Sequence, residues 1–276
     1  MFAIVLAITA LALAIYLGLP ALLRRLGLHP HYHGARHRLP GKRALIVTTS
    51  HARLDPTSKA TGVFASEMTV PYYAFLDAGM LVDVASVRGG QVPVERDSLR
   101  WPLATPDDRR YLADPVLRAK TENALAIGAL DGVHYDIVFL AGGWGAAYDL
   151  GKSPELGTLV TRAWAAGKVV GGICHGPLGL LLAHDTDGTP LVRGKRLTAV
   201  TDRQLQQLGI DVTPMHPERE LRAAGAVFEC RHALRDPFAN LTVVDGRLVT
   251  GQNQNAGAQA AQAMLRAAGA PATPAP

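Results

Sequence analysis

The first 54 residues of this chain contain no Asp or Glu, yet hold seven basic residues: Arg24, Arg25, Arg36, Arg38, Lys42, Arg43 and Arg53. From Phe2 to Leu23 there is no charged side chain of either sign. Cysteine is scarce: Cys174 and Cys230 are the only two in 276 residues, and they form no CxxC pair. Neither a disulfide framework nor a thiolate zinc site is suggested. The chain has 28 Lys or Arg, and taking away those seven leaves 21 against 23 Asp or Glu from Asp55 onward, a net of −2. The formal charge of +5 therefore belongs to one N-terminal segment. The rest lacks the basic surface expected of a nucleic-acid binder, so no nucleic-acid partner is expected. No internal repeat is present.

What the N-terminus does have is length without charge. Twenty-two helical residues span ~33 Å, enough to cross a bilayer's hydrocarbon core. Pro20 kinks or ends this helix near one interface. A cleavable signal peptide is the rival reading, but it wants a charged start and a small-x-small site after the apolar run. Here no Lys or Arg precedes the run, and Leu22-Leu23-Arg24-Arg25 follows it. The expectation is an uncleaved single-pass anchor over 1–23. Basic residues flanking a span stay cytoplasmic, so the domain that follows should face the cytoplasm. "HPHYHGARHR" (His29 to Arg38) reads as a polybasic juxtamembrane linker, part of 24–42, meeting anionic headgroups. Its four histidines could suggest a metal, but no Cys or carboxylate joins the tract.

Beyond the linker, short apolar runs alternate with helical patterns. "RALIVTTS", "MLVDVASV", "YDIVFLAGG" and "KVVGGI" read as buried strands. "SEMTVPYYAFLDAG" and "SPELGTLVTRAWAAG" read as helices ending at Gly79 and Gly167, the second with Ser153 as cap and Pro154 at its first position. "GPLGLLLAH" reads as a helix leaving the "KVVGGI" strand. "NLTVVDGRLVTG" reads as a hairpin turning at Asp245-Gly246. "NAGAQAAQAMLRAAG" is an Ala-rich helix, and 269–276 a disordered tail. The pattern implies an α/β fold with a mostly parallel sheet covered by helices on both faces. Sites in such sheets lie at the carboxyl ends of strands.

One such end is "GGICHG" (Gly171 to Gly176). A strand, a tight glycine-flanked turn and a helix start form a nucleophile elbow, which strains the middle residue and exposes its side chain. Cys174 would then sit at a helix N-terminus, where amides and dipole lower a thiol pKa. The alternative is a small buried core cysteine, the commoner fate of a free thiol. Cys230, with no glycine corner, reads as core.

These segments resemble the ThiJ/PfpI superfamily, within its branch of heat-shock chaperones and glutathione-independent glyoxalases. The resemblance runs over 43–268 and rests on "GVFASEMTVPYYAFLDAG", "VASVRGGQVPV", "YDIVFLAGGWGAAYDL", "GGICHGPLGLL" and "VVDGRLVTGQNQNAG". It implies a flavodoxin-like, class I glutamine amidotransferase-like fold. Cys174 would be the nucleophile, Glu67 the carboxyl lying against its sulfur, and His175 the adjacent base. Asp202 is the candidate carboxylate to orient His175. The amides of Gly143 and His175 would hold an oxyanion, in a pocket with Gly142 and Trp144. A histidine usual in that glycine loop is replaced here by Trp144, which narrows the pocket and removes a proton carrier.

The activity implied is glyoxalase-type conversion of methylglyoxal to lactate, or a related deglycase or hydrolase reaction on small reactive carbonyls. It would need no metal or organic cofactor. A homodimer is expected from the family. The alternative is a holdase chaperone or thiol redox sensor with little turnover, using the same Cys174. "HPE" (His216 to Glu218) is similar to the His-x-Glu end of amidotransferase triads. A glutamine amidotransferase or cysteine peptidase is the least favoured reading, since the segment follows Cys174 too soon.

Overall fold

The computed structural model describes residues 2–55, 57–210 and 212–270, so most of the expected tail lies outside the described residues. The core is a seven-stranded sheet. Its strands are β1 (Arg43–Thr48), β2 (Leu81–Ser86), β3 (Leu125–Ala126), β4 (Ile137–Leu140), β5 (Val169–Ile173), β6 (Thr242–Asp245) and β7 (Leu248–Gly251). They lie in the order β6-β7-β5-β4-β1-β2-β3. Every pairing is parallel except the β6–β7 hairpin, which turns at Asp245-Gly246 as expected.

The sequence dictates this because both faces of each central strand are apolar. In β1, Ala44 and Ile46 face one layer, while Leu45 and Val47 face the other; all four are fully buried. Near-continuous apolar runs are the mark of parallel strands covered on both sides. Helices α2 (Ala65–Asp77) and α8 (Gly257–Gly269) cover the first face. Helix α5 (Pro154–Ala165) covers the second, with the Ser153 hydroxyl accepting the Leu156 N–H at its cap. Between β2 and β3 run α3 (Pro106–Ala113) and α4 (Pro115–Glu122). Between β5 and β6 lie α6 (Asp202–Leu208) and α7 (Pro217–Ala223).

One expectation is corrected. The segment after Cys174 is not an α-helix but a single 3₁₀ stretch, Gly176–Leu180. Pro177 starts it, and a Cβ at Gly176 would lie 2.0 Å from the Leu140 carbonyl oxygen. The chain is pressed onto β4 too closely for a regular helix to begin there. So short a segment supplies little macrodipole at the cysteine.

The N-terminal helix α1 (Phe2–Arg25) is long and apolar enough to cross a membrane, and none of its apolar window is buried. The residues after it lie along the domain. Leu28 is buried, the His29 N–H donates to Asn255 Oδ1 at 2.7 Å, and Lys42 Nζ donates to the Ala268 carbonyl at 2.7 Å. Burial lowers the His29 pKa to about 4.

Candidate active site

Strand β5 delivers Cys174 to the carboxyl edge of the sheet. Its φ is +59°, a left-handed conformation that a non-glycine side chain rarely adopts. The turn is held from both sides: Cys174 N–H donates to the Gly251 carbonyl, and Val200 N–H donates to the Cys174 carbonyl, each at 3.0 Å. Over-determination by neighbouring strands is what lets a strained nucleophile persist. The strained turn expected at this corner is present, but its side chain is buried, not exposed, and no α-helix follows it.

Glu67 enters from the first turn of α2, almost wholly buried, into the pocket that Cys174 also lines, and its Oε2 has no hydrogen-bond partner among the described residues. The glycine loop after β4 passes over both. A Cβ at Gly142 would lie 2.5 Å from Glu67 Oε2 and 2.7 Å from the His175 amide nitrogen, so this position demands glycine. The amides of Gly143 and His175 oppose the rise of the thiol pKa, so both act on the Cys174 sulfur electrostatically. His175 is fully buried, with Nδ1 3.5 Å from Sγ.

Burial dominates the electrostatics. It raises Glu67 well above the usual carboxylate range, and the nearby Glu95 carboxylate pushes the same way. It also raises the Cys174 thiol, reinforced by the negative charge of Glu67 and opposed by the Gly143 and His175 amides. The expected lowering of the thiol pKa is therefore reversed in the resting site. Desolvation outweighs two amides and a short 3₁₀ turn. His175 is lowered to about 3 by burial, with His216 adding a smaller effect of the same sign.

The structure does not bring Asp202 to His175. Asp202 Oδ1 lies 3.1 Å from His216 Nδ1, and Oδ2 accepts from Arg219 Nε at 2.6 Å. His175 Nε2 has no hydrogen-bond partner among the described residues. The reason is local: Asp202 is the first residue of α6, Thr201 caps the helix, and the carboxylate turns outward to the start of α7. Glu218 accepts the Asp202 N–H at 3.1 Å, so "HPE" serves this helix junction, not the thiol.

Glu95 was not expected. Its Oε1 accepts the Trp144 N–H at 2.8 Å and the Thr61 hydroxyl at 3.3 Å, tying down the glycine loop. Burial raises its pKa to about 7. Its only sequence signal is its place just after "RGGQVPV", in the loop beyond a strand's carboxyl end. Trp144 packs beside Cys174, with Lys59 Nζ 5.6 Å above its ring. Cys230 is not core but half-buried, its Sγ 3.5 Å from His232 Nε2.

Cys174, Glu67, Glu95 and Trp144 line one pocket of about 490 Å³, with Phe64, Val200 and Ile210 as apolar walls and Leu23 and Leu28 closing one side. Among the described residues no three His, Cys, Asp or Glu side chains are grouped to hold a metal ion.

Residues 59–267 match the DJ-1/PfpI family. The chain is 28% identical over 239 residues to the glutathione-independent glyoxalase hsp3102 of Schizosaccharomyces pombe, covering 82% of this chain and 98% of the relative. It is 32% identical over 235 residues to the probable glutathione-independent glyoxalase HSP32 of Saccharomyces cerevisiae, covering 78% and 92%. The crystal structure of glyoxalase III from Candida albicans superposes with a TM-score of 0.75 at 27% identity, covering 82% of this chain and 97% of that one. The family match begins after α1.

Proposed function

Because the chain belongs to the DJ-1/PfpI family, we propose that it is a membrane-anchored, cysteine-dependent glyoxalase that converts methylglyoxal to lactate without glutathione. The observation that carries this reading is the strained turn that sets Cys174 in one pocket with the buried Glu67 carboxyl and holds His175 Nδ1 3.5 Å from its sulfur. The names of the relatives support the same chemistry.

The reaction needs three things of these residues. A thiol must add to the aldehyde carbon. His175 Nδ1, 3.5 Å away, relays the thiol proton to the aldehyde oxygen as the S–C bond forms, since a ring lowered to about 3 does not keep it, and the hemithioacetal oxygen lies toward the Gly143 and His175 amides. A proton must then leave that carbon and reach the neighbouring one. Glu67 lies beside the sulfur and loses and regains a proton readily, because burial holds its pKa high. The product of that transfer is a thioester, which water hydrolyses, freeing lactate and restoring the thiol. No oxidant enters, since one carbon is oxidised as its neighbour is reduced.

A resting thiol pushed up by burial does not favour a peroxide sensor, whose cysteine is a solvent-accessible thiolate. The anchor reading rests on α1 and the Arg24–Arg25 pair that ends it. The deciding experiment is steady-state turnover of methylglyoxal by the full chain in lipid nanodiscs, followed as lactate. Cys174→Ser should abolish it. Wild-type protein that binds methylglyoxal without forming lactate would remove the glyoxalase reading.

A further inference from the structure

Two walls of the catalytic pocket, Leu23 and Leu28, come from the end of the apolar helix and the turn beyond it, not from the α/β domain. Leu28 is buried and Leu23 half-buried. Near the same mouth, Trp101 Nε1 donates to the Tyr16 carbonyl at 3.3 Å, and the two rings stack with centroids 5.1 Å apart. Trp and Tyr are the side chains of the membrane–water interface. Tyr16 lies nine residues before Arg25, about 13 Å along the helix. The loop carrying Trp101 therefore reaches past the Arg24–Arg25 level toward lipid. Leu103, from that loop, also lines the pocket, and the exposed Leu208 lines it from another side. Arg100, paired with Asp97 at 2.9 Å, also lines the pocket.

The cavity, about 490 Å³, falls in the range of pockets for drug-sized ligands, roughly 300–1,000 Å³. A three-carbon ketoaldehyde leaves most of it empty. We infer that the site takes alkyl 2-oxoaldehydes carrying an apolar chain of several carbons, drawn from the membrane, with the chain lying against Leu23, Leu28 and Ile210. This rests on the anchored-glyoxalase reading above. The balance is that of the smaller substrate. Sγ bonds to C1, the C1 hydrogen leaves as a proton, and C2 is protonated. Water then breaks the S–C1 bond to give the 2-hydroxy acid, so C1 is oxidised, C2 is reduced and no other co-reactant is consumed.

The test compares methylglyoxal with 2-oxohexanal, which is longer by three methylenes and still water-soluble, using the full chain in phosphatidylcholine–phosphatidylglycerol nanodiscs. Each buried methylene is worth roughly a fourfold gain, so kcat/KM for 2-oxohexanal should exceed that for methylglyoxal by about tenfold or more. Leu23→Asn should bring that ratio down toward one. Leu208→Asn, across the mouth, should lower it as well, and a thermal melt of each variant checks that it is folded. If methylglyoxal is consumed but 2-oxohexanal is no better, this inference falls and the glyoxalase reading stands. If the ratio survives Leu23→Asn in a folded protein, the helix end is not the wall that selects the chain. If neither aldehyde is consumed, the glyoxalase reading falls and takes this one with it. Protein that fails to stay with the nanodisc overturns delivery from the membrane.

Discussion

The Glu67 carboxyl and the Cys174 sulfur share one dry site, with 1% and 7% of their respective residues exposed. Two negative charges cannot both persist cheaply at such a distance, so one group keeps a proton. Burial raises both, and the amides of Gly143 and His175 favour charge on the sulfur. The carboxyl therefore stays neutral, as does the resting thiol, and a neutral Glu67 does not repel the thiolate when it forms during turnover. Glu67→Gln keeps a hydrogen-bond donor but loses the transferable proton. Turnover should fall by about 10²–10⁴-fold, the usual worth of a positioned acid–base group. Iodoacetamide should still alkylate Cys174 near neutral pH, while Glu67→Leu slows both processes. Turnover surviving in the Gln variant would take Glu67 out of the proton transfer. Faster alkylation of Cys230 than of Cys174 would undo the elbow reading.

Glu95 sets a pH dependence of stability. Its pKa rises from the ordinary carboxylate value to about 7 on folding. Between those values the folded protein binds more protons than the unfolded chain, so stability falls as pH rises through this window. The contribution is fully present below about pH 4.5 and is lost by about pH 7, a change on the order of 3 kcal/mol. Glu95→Gln can still accept the Trp144 N–H but cannot titrate. Thermal melts from pH 4.5 to 7.5 should show the wild type losing more Tm than the variant. Parallel curves for the two proteins would show that Glu95 does not titrate in this range.

The segment that leads from α1 to β1 is packed, and removing it has a cost. Deleting residues 1–40 removes Leu28, whose burial is worth about 1.5–3 kcal/mol, and the His29 bond to Asn255. Because β1 begins at Arg43, the truncated chain should still fold cooperatively and stay soluble. Its Tm should be lower by about 4–10 °C, the shift expected for a domain of this size. Loss of the cooperative transition would mean that the domain requires its N-terminal segment. With the full chain, a reporter fused after Pro276 should behave as cytoplasmic, because the basic residues all lie in the last turn of α1 or beyond it.

The central strands and the elbow were legible because burial on both faces writes itself as runs such as "ALIVT" and "IVFL", and glycines mark the corner. Fold class, α2, α5 and the Asp245-Gly246 hairpin could be read the same way. What could not be read was direction and contact. Nothing in "TAVTDRQ" tells that Asp202 turns outward to His216 and Arg219. Nothing in "VERD" tells that Glu95, half-buried, accepts the Trp144 amide. Helices α3 and α4 begin at Pro106 and Pro115 behind Thr105 and Asp114 caps, but they are short and their apolar faces narrow. The 3₁₀ stretch after Cys174 reads as a helix until the Leu140 carbonyl lies against Gly176.

Asp202 is the residue on which the sequence and the geometry disagree, and a conservative substitution separates them. A carboxylate that orients a catalytic histidine is worth about 10⁴ in kcat when replaced by Asn. A carboxylate that joins two helix starts through partly exposed pairs is worth about 1 kcal/mol of stability or less. Asp202 bonds His216 and Arg219, while His175 Nε2 is left without a partner. Asp202→Asn should therefore lower kcat on methylglyoxal by less than about tenfold and lower Tm slightly. His175→Ala, which removes the imidazole 3.5 Å from the sulfur, should lower kcat by about 10²-fold or more. The kcat–pH profile of Asp202→Asn should keep the wild-type shape, since no group against Cys174 has changed. A loss of 10³-fold or more in the Asn variant, with Tm unchanged, would mean that Asp202 swings from His216 to His175 during turnover.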